Sequence, residues 1–409
     1  MASLQTLSST ISRLNLLQRS SFNYSLTSLK LLKFYEQRII RPARSPLSFS
    51  TLSNRSSTFK PIKMSSKDDL IVLGIETSCD DTAAAVVRGS GEILSQVVSS
   101  QADLLVQYGG VAPKMAEEAH SQAIDPVVQE ALDKANLTER DLSAVAVTIG
   151  PGLSLCLRVG VQKARNIASR FNLPVVGVHH MEAHALVARL IERELQFPFL
   201  ALLISGGHNL LVLAHNLGQY TQLGTTIDDA IGEAFDKTAK WLGLDLRRSG
   251  GPAVEKLALE GDSQAVKFSR VAVLHLEERC QRAIEWALKI EPSIKHLVVS
   301  GGVASNKYVR ARLDQVVRKN SLQLVCPPPS LCTDNGVMVA WTGIEHFCVG
   351  RYDPPPSVIE PEDFVYDLRP RWPLGEEYAE GRSEARSLRT ARIHPSLTSL
   401  IQASMQQQS

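Results

Sequence analysis

Short apolar runs bounded by glycine, serine and asparagine turns fill the middle of this chain, and their order repeats. LIVLGIE (70–76) reads as a buried strand, SCDD as a polar turn and TAAAVV as a second strand. Arg88-Gly89-Ser90-Gly91 predicts a hairpin turn into EILSQVVSS. Helical periodicity covers 114–134. A strand in SAVAVTIG, a helix over about 159–171, a strand in PVVGV and an amphipathic helix from 180 to about 194 follow. The second half restarts the same order. FPFLALLIS, LLVLAH and YTQLGTTI read as three strands, and Asp228–Leu242 as a helix that Thr226 can cap. Then come helices over 252–260 and 272–290, a strand in KHLVVSGG, a helix over Asn306–Lys319, a strand in LQLVC and a helix over Asp334–Val349. Each half predicts three meandering strands and then alternating helix and strand, a repeat of pattern rather than of residues. Two such α/β halves imply a nucleotide cleft between them. Unrelated doubly wound domains would leave their first strand for a helix at once, so the opening meanders argue against them. Beyond Val349 the periodicity fades. Residues 353–375 are Pro-rich and 376–409 polar, which predicts weakly ordered surface or disorder.

The net charge of +2 over 409 residues averages two unlike segments. Residues 1–66 carry ten basic residues against Glu36 alone, with 16 Ser and 5 Thr, and stand at +9. The rest has 34 basic against 41 acidic residues, or −7. An Arg- and Ser-rich, acid-poor leader with its charges spread among Leu and Phe predicts an organellar transit peptide, mitochondrial rather than plastid because Arg leads. A basic arm for nucleic acid is the alternative. Met64 leaves room for a second start and a cytosolic form. Six dispersed cysteines without C-x-x-C spacing exclude a disulfide scaffold or a cysteine zinc site. The uncharged run 195–227 is broken by Pro198, Gly206, Gly207 and His208, so it predicts buried strands and not a membrane span.

Three constellations could carry chemistry. In HHMEAH, His180 and His184 stand four apart on a predicted helix, so both imidazoles share a face as a metal ion requires, with His179 beside them. A third ligand is then expected, and Asp334 in CTDNG, at a helix start, is the candidate. Glu182 is one place away from the zinc-peptidase H-E-x-x-H, which disfavours a peptidase. The glycine pairs in LISGGHN, LRRSGGP and VVSGGVASN let backbone N–H groups approach phosphate. None is a P-loop, and G-x-G-x-x-G is absent. In TTIDDAIGEAFDK, Asp229, Glu233 and Asp236 fall on one stripe, and Asp236 suits a ribose hydroxyl pair.

In this order, GIETSCDDT, HHMEAH, SGGH, IDDAIGEAFDK, SGGP, GGVASN and CTDNG resemble one family over about residues 68–350. It is the tRNA N6-adenosine threonylcarbamoyltransferases, formerly called O-sialoglycoprotein endopeptidases, and the leader resembles that of its organellar branch. The resemblance implies the two-lobed actin/Hsp70/sugar-kinase-like α/β ATPase fold, with duplicated βββαβα lobes and an interlobe nucleotide and metal site. Residues 1–66 would be the transit peptide, 67–196 and 197–350 the lobes, the last helix returning to the cleft, and 351–409 a tail. The implied reaction moves threonylcarbamoyl from threonylcarbamoyl-AMP to N6 of adenosine 37 in tRNA. His180, His184 and Asp334 would hold one divalent ion per subunit, zinc or iron. Leu203, Ile204, Ser205, Gly206, Gly207 and His208 would lie along the phosphate and acyl part, and Asp236, Gly251, Glu255 and Asn306 along ribose and adenine. The turn LRRSGGP is longer than the family's.

Glu76 or Asp80 could take the amine proton, though Glu76 could instead order the first loop. Mitochondrial relatives resemble self-sufficient homodimers, localised in the matrix, whereas bacterial and cytosolic ones work with other subunits. Three rivals follow from the same residues: an ATPase or phosphotransferase of this fold, a metal-dependent glycopeptidase and a non-enzymatic actin-like scaffold. A body of −7 that binds tRNA needs a local basic patch, and Arg158, Lys163, Arg165 and Arg170 are the candidate.

Overall fold

The computed structural model describes residues 66–101, 112–244, 250–260, 267–357 and 365–379. The expected leader, apart from Ser66, the tail beyond Ala379 and the first four residues of LRRSGGP lie outside them. Eleven strands among the described residues form two sheets. In the first, β1 (Ile71–Glu76), β2 (Asp81–Arg88) and β3 (Ile93–Ser100) make an antiparallel meander, and β4 (Ala144–Gly150) and β5 (Val175–His179) extend it in parallel beside β1. The order is β3-β2-β1-β4-β5. The second sheet repeats this with β6 (Phe199–Ile204), β7 (Asn209–Asn216), β8 (Gln219–Thr225), β9 (His296–Ser300) and β10 (Gln323–Val325), and adds β11 (Glu376–Glu377) beside β8. The two meanders expected from sequence are therefore real, and so is the duplicated βββαβα arrangement of the actin-like fold.

Helices α1 (Pro113–Ala135) and α2 (Ser154–Phe171) cover one face of the first sheet. Helix α3 (His180–Ile191) follows β5 directly. On the far face of the second sheet lie α4 (Ile231–Trp241), α5 (Gly250–Glu260), α6 (Lys267–Ile290) and α7 (Lys307–Lys319). A short α8 (Pro329–Cys332) precedes the last helix, α9 (Gly336–Cys348). One apolar cluster joins both sheets through α3 and α9, which lie between them. Strands covered on both faces have no polar face, which is why β1, β4, β6 and β9 read as unbroken apolar runs.

Helix α9 packs on β1, β2 and β4, and a Cβ on Gly74 would overlap the backbone of Gly336 and Ala340. So the last helix of the second half completes the core of the first. Three expectations need correction. Helix α4 starts at Ile231, not Asp228, and Thr226 is not its cap. Thr226 Oγ1 instead accepts from Asn209 N–H (2.7 Å), while Asn209 Oδ1 accepts from Ile231 N–H (3.2 Å). That bond comes from the first residue of β7, which local spacing cannot show. Helix α2 starts at Ser154, before the expected 159. The Pro-rich tail is not loose throughout, because residues 365–379 dock on the body and Leu374 is buried.

Candidate active site

Helix α3 begins where β5 ends, so its first two turns present His180 and His184 beyond the strand ends. Asp334 stands just before Asn335, whose side chain caps α9 by accepting from Met338 N–H (2.8 Å). Asp334 Oδ1 lies 3.0 Å from His184 Nε2 and 3.6 Å from His180 Nε2. One ligating atom from each of the three residues falls within 4.8 Å of the others. Two imidazoles and one carboxylate brought this close are a donor set that suits a divalent ion such as zinc or iron. His184 Nδ1 is buried without a partner among the described residues. His179, also predicted near this group, is not part of it. Its Nδ1 accepts from Met181 N–H (3.1 Å) and Glu182 N–H (3.4 Å), so it caps α3. Burial pushes His179 down to about 4, against the pull of Glu182, so Nε2 carries the proton and donates to Trp372 O (3.0 Å).

Glu76 is fully buried at the end of β1. Its carboxylate accepts from Ser78 N–H (2.6 Å) and Thr148 O–H (2.5 Å) and faces His180 Nδ1 at 3.2 Å. Ser78 Oγ lies 3.2 Å from the same nitrogen. These contacts fix the ring so that Nε2 faces Asp334, as carboxylates commonly do for metal-binding histidines. Burial alone would raise Glu76, but the His180 charge and the bonds from His180 and Thr148 outweigh it and hold it low. Burial alone would lower His180 and raise Asp334. Facing charges win there too, pushing His180 up to about 9 and Asp334 down to about 2. The centre thus favours positive charge.

Asp80, half-buried, is shifted up by burial and by the charge of Asp334. Neighbouring Asp81, missed in the sequence, is pushed up to about 7 by burial, against a bond from Ser100. Glu182 faces elsewhere. It accepts from Tyr220 O–H (2.8 Å) and Gly218 N–H (2.9 Å) and meets His346 Nε2 at 2.9 Å. It ties α3 to α9 and the β7–β8 turn, and it is not placed as a peptidase base.

One glycine turn borders the residue before Asp334. A Cβ built on Gly302, after β9, would stand 4.0 Å from the Thr333 methyl. Gly301, at φ +96°, abuts the Ile204 backbone, which any side chain there would meet. At the start of α4, a Cβ on Gly232 would come within 2.6 Å of Ser205 O. Gly206, Gly207 and His208 are exposed, and a Cβ on either glycine would meet nothing within 4 Å. Ser205 Oγ accepts from Gly207 N–H (3.3 Å) and His208 N–H (3.1 Å). Leu203 and Ile204 point their side chains into the core, leaving only backbone for a ligand.

Asp236 accepts from Gly250 N–H (2.5 Å), and Gly251 stands open beside it. Asn306 caps α7, accepting from Tyr308 N–H (2.9 Å) and Val309 N–H (3.1 Å). Glu255 is exposed on α5. The acidic stripe divides: Lys237 pairs with Asp229 (2.5 Å) and Glu233 (3.0 Å), leaving Asp236 apart.

A family model for tRNA N6-adenosine threonylcarbamoyltransferase matches residues 92–341. A protein of Arabidopsis thaliana named "Probable tRNA N6-adenosine threonylcarbamoyltransferase, mitochondrial" is 64% identical, with 98% of each chain covered. A tRNA N6-adenosine threonylcarbamoyltransferase of Erythrobacter litoralis is 41% identical over 75% of this chain and 96% of its own. Among solved structures, a ROK family glucokinase from Streptomyces griseus, in complex with glucose and AMPPNP, is 15% identical over 67% of this chain and 99% of its own, with a TM-score of 0.44. Matched by the family model over most of its length and by relatives along nearly all of theirs, this chain belongs to the tRNA N6-adenosine threonylcarbamoyltransferase family.

Proposed function

We propose that this chain is a mitochondrial enzyme of t6A formation. It transfers threonylcarbamoyl from threonylcarbamoyl-AMP to N6 of adenosine 37 in tRNAs reading codons that begin with adenine. The observation that carries the site assignment is the His180–His184–Asp334 cluster, which gathers two imidazoles and a carboxylate from the two halves of the fold. One zinc or iron ion per subunit would be held by those three residues and would act as a Lewis acid toward an oxygen of the donor.

The chain's own residues do the rest. The donor is a mixed anhydride with AMP as leaving group, so positioning and charge stabilisation carry most of the catalysis. Gly206 and Gly207 let the phosphate and acyl part approach the backbone, with Ser205 shaping the turn and exposed His208 beside it. Asp236, which accepts from Gly250 N–H, serves the ribose with Gly251, and Glu255 and Asn306 serve the adenine. Asp80, partly exposed and shifted up by burial and by the charge of Asp334, accepts the amine proton, while Glu76 positions His180. A Mg²⁺-dependent phosphotransferase would use oxygen ligands, for which paired histidines are out of place.

Full-length protein, loaded with zinc or iron, is incubated with an unmodified tRNA transcript and threonylcarbamoyl-AMP, and the RNA is digested to nucleosides. Threonylcarbamoyladenosine is the expected product, and its absence with folded, metal-loaded protein would overturn the function. The matrix and the leader are tested separately. Residues 1–66 fused to a fluorescent protein should reach mitochondria, and retention in the cytosol or entry into plastids contradicts the assignment. A homodimer predicts twice the chain mass in light scattering. No helix among the described residues is long and apolar enough to cross a membrane.

A further inference from the structure

Residues 365–372 cross the start of α2 as a strap beside the candidate site. Arg369 N–H donates to Ile149 O (2.7 Å), and Gly152 N–H donates to Pro370 O (3.2 Å). A Cβ on Gly150 would overlap the Arg369 carbonyl, so the approach needs glycine there. Two routes lead from the strap to His180. The Trp372 ring packs 4.5 Å from the ring of His179, the residue just before His180. On the other route, Leu153 N–H donates to Ser78 O (2.8 Å), and Ser78 Oγ touches His180 Nδ1.

Where strap and helix meet, a cavity of about 530 Å³ is lined by Ser154, Leu368, Arg369, Pro370 and Arg371. At 100° per residue, Ser154, Arg158 and Arg165 fall within roughly 40° of one another around α2. Arg165 lies over the Tyr366 ring at 6.0 Å. The strap therefore runs antiparallel to α2, from Tyr366 at Arg165 to Arg371 at Ser154, with Arg158 between. Arg158, Arg369 and Arg371 are exposed, and Arg158 and Arg371 form no ion pair among the described residues. Asp367 is the one acid on this part of the strap, and it takes the Nε and Nη2 edge of Arg369 (2.7–3.2 Å). Lys163 and Arg170 lie roughly 140° round the helix from this edge. Lys163 is paired there with Asp125 (2.7 Å).

We propose that this ridge, Arg158 and Arg165 of α2 with Arg369 and Arg371 of the strap, is the surface along which the tRNA phosphate backbone lies. The proposal rests on the transferase function above and supplies the polyanion surface which that function requires. Guanidinium forks match phosphate oxygens geometrically. Between Arg158 and Arg165 the ridge spans roughly 10 Å along the helix, enough to follow a strand past a single contact. Its position next to His179 brings a bound strand to the centre where an adenosine would react.

The test is binding of a labelled, unmodified tRNA transcript to the full chain over a series of salt concentrations. Arg158→Gln/Arg371→Gln should weaken binding about tenfold and flatten the log Kd against log salt line by about two units, one per lost phosphate contact. The corresponding Glu pair should weaken it further, while bound metal and thermal midpoint stay unchanged in both. Equal affinity and equal slope in the variants would overturn the ridge, as would weaker binding with an unchanged slope. If the unmutated chain itself bound no tRNA, the transferase function would fall instead.

Discussion

His180 and His184 were legible as a pair because both sit on one short helix, where a four-residue interval fixes a common face. The partner that orients His180 was only half legible. Glu76 was visible as a carboxylate ending an apolar run, but its bond to Thr148 depends on β1 lying parallel to β4, with Ile75 opposite Val147. That register is a property of the folded sheet. Replacing Glu76 by Gln should therefore weaken metal affinity by 10- to 100-fold, measured by chelator competition, with the helices intact. An unchanged affinity would return Glu76 to a role in the loop alone. Asp81 makes a different prediction. Its folded carboxyl is pushed up to about 7, against an ordinary value of 3.8, so its penalty is absent at low pH, grows from pH 4 to 7 and is full above that. Asp81→Asn should raise the thermal midpoint at pH 8 and change it little at pH 4. A gain that is equal at both values contradicts the assignment.

At the scale of elements, the meanders and the alternation of helix and strand were readable because each depends on local periodicity. What escaped depends on distant segments. Asn209 bonds the start of α4 from the first position of β7, and α9 leaves the second half to lie on β1. The strap looked disordered because Pro, Arg and Trp without periodicity resemble a tail. It is held by backbone bonds to the β4–α2 loop and by one indole. Trp372→Ala should cost about 1–3 kcal/mol locally and raise hydrogen exchange at the Arg369 and Gly152 amides. Gly74→Val should be severe, about 3 kcal/mol or more in denaturant unfolding, because the side chain would enter the backbone of α9. By displacing Asp334 it should lower metal content as well.

At the scale of the whole molecule, the charge is uneven, with +9 on residues 1–66 and −7 on the rest. The basic run Arg158–Arg170 seemed a single patch along the sequence, but helical geometry divides it between two edges of α2, and only one edge meets the strap. The two sheets and the helices between them form one continuous core, which sets His180 and His184 from one half against Asp334 from the other. Threonylcarbamoyl transfer at that junction requires its ion and both histidines. The most direct measurement is the yield of threonylcarbamoyladenosine as zinc or iron is titrated into chelated full-length protein, beside a His180→Ala/His184→Ala variant. Activity should rise to a plateau at one ion per subunit and stay near background in the variant at every metal concentration. Full activity in the chelated protein, or a variant as active as the unmutated chain, would contradict it.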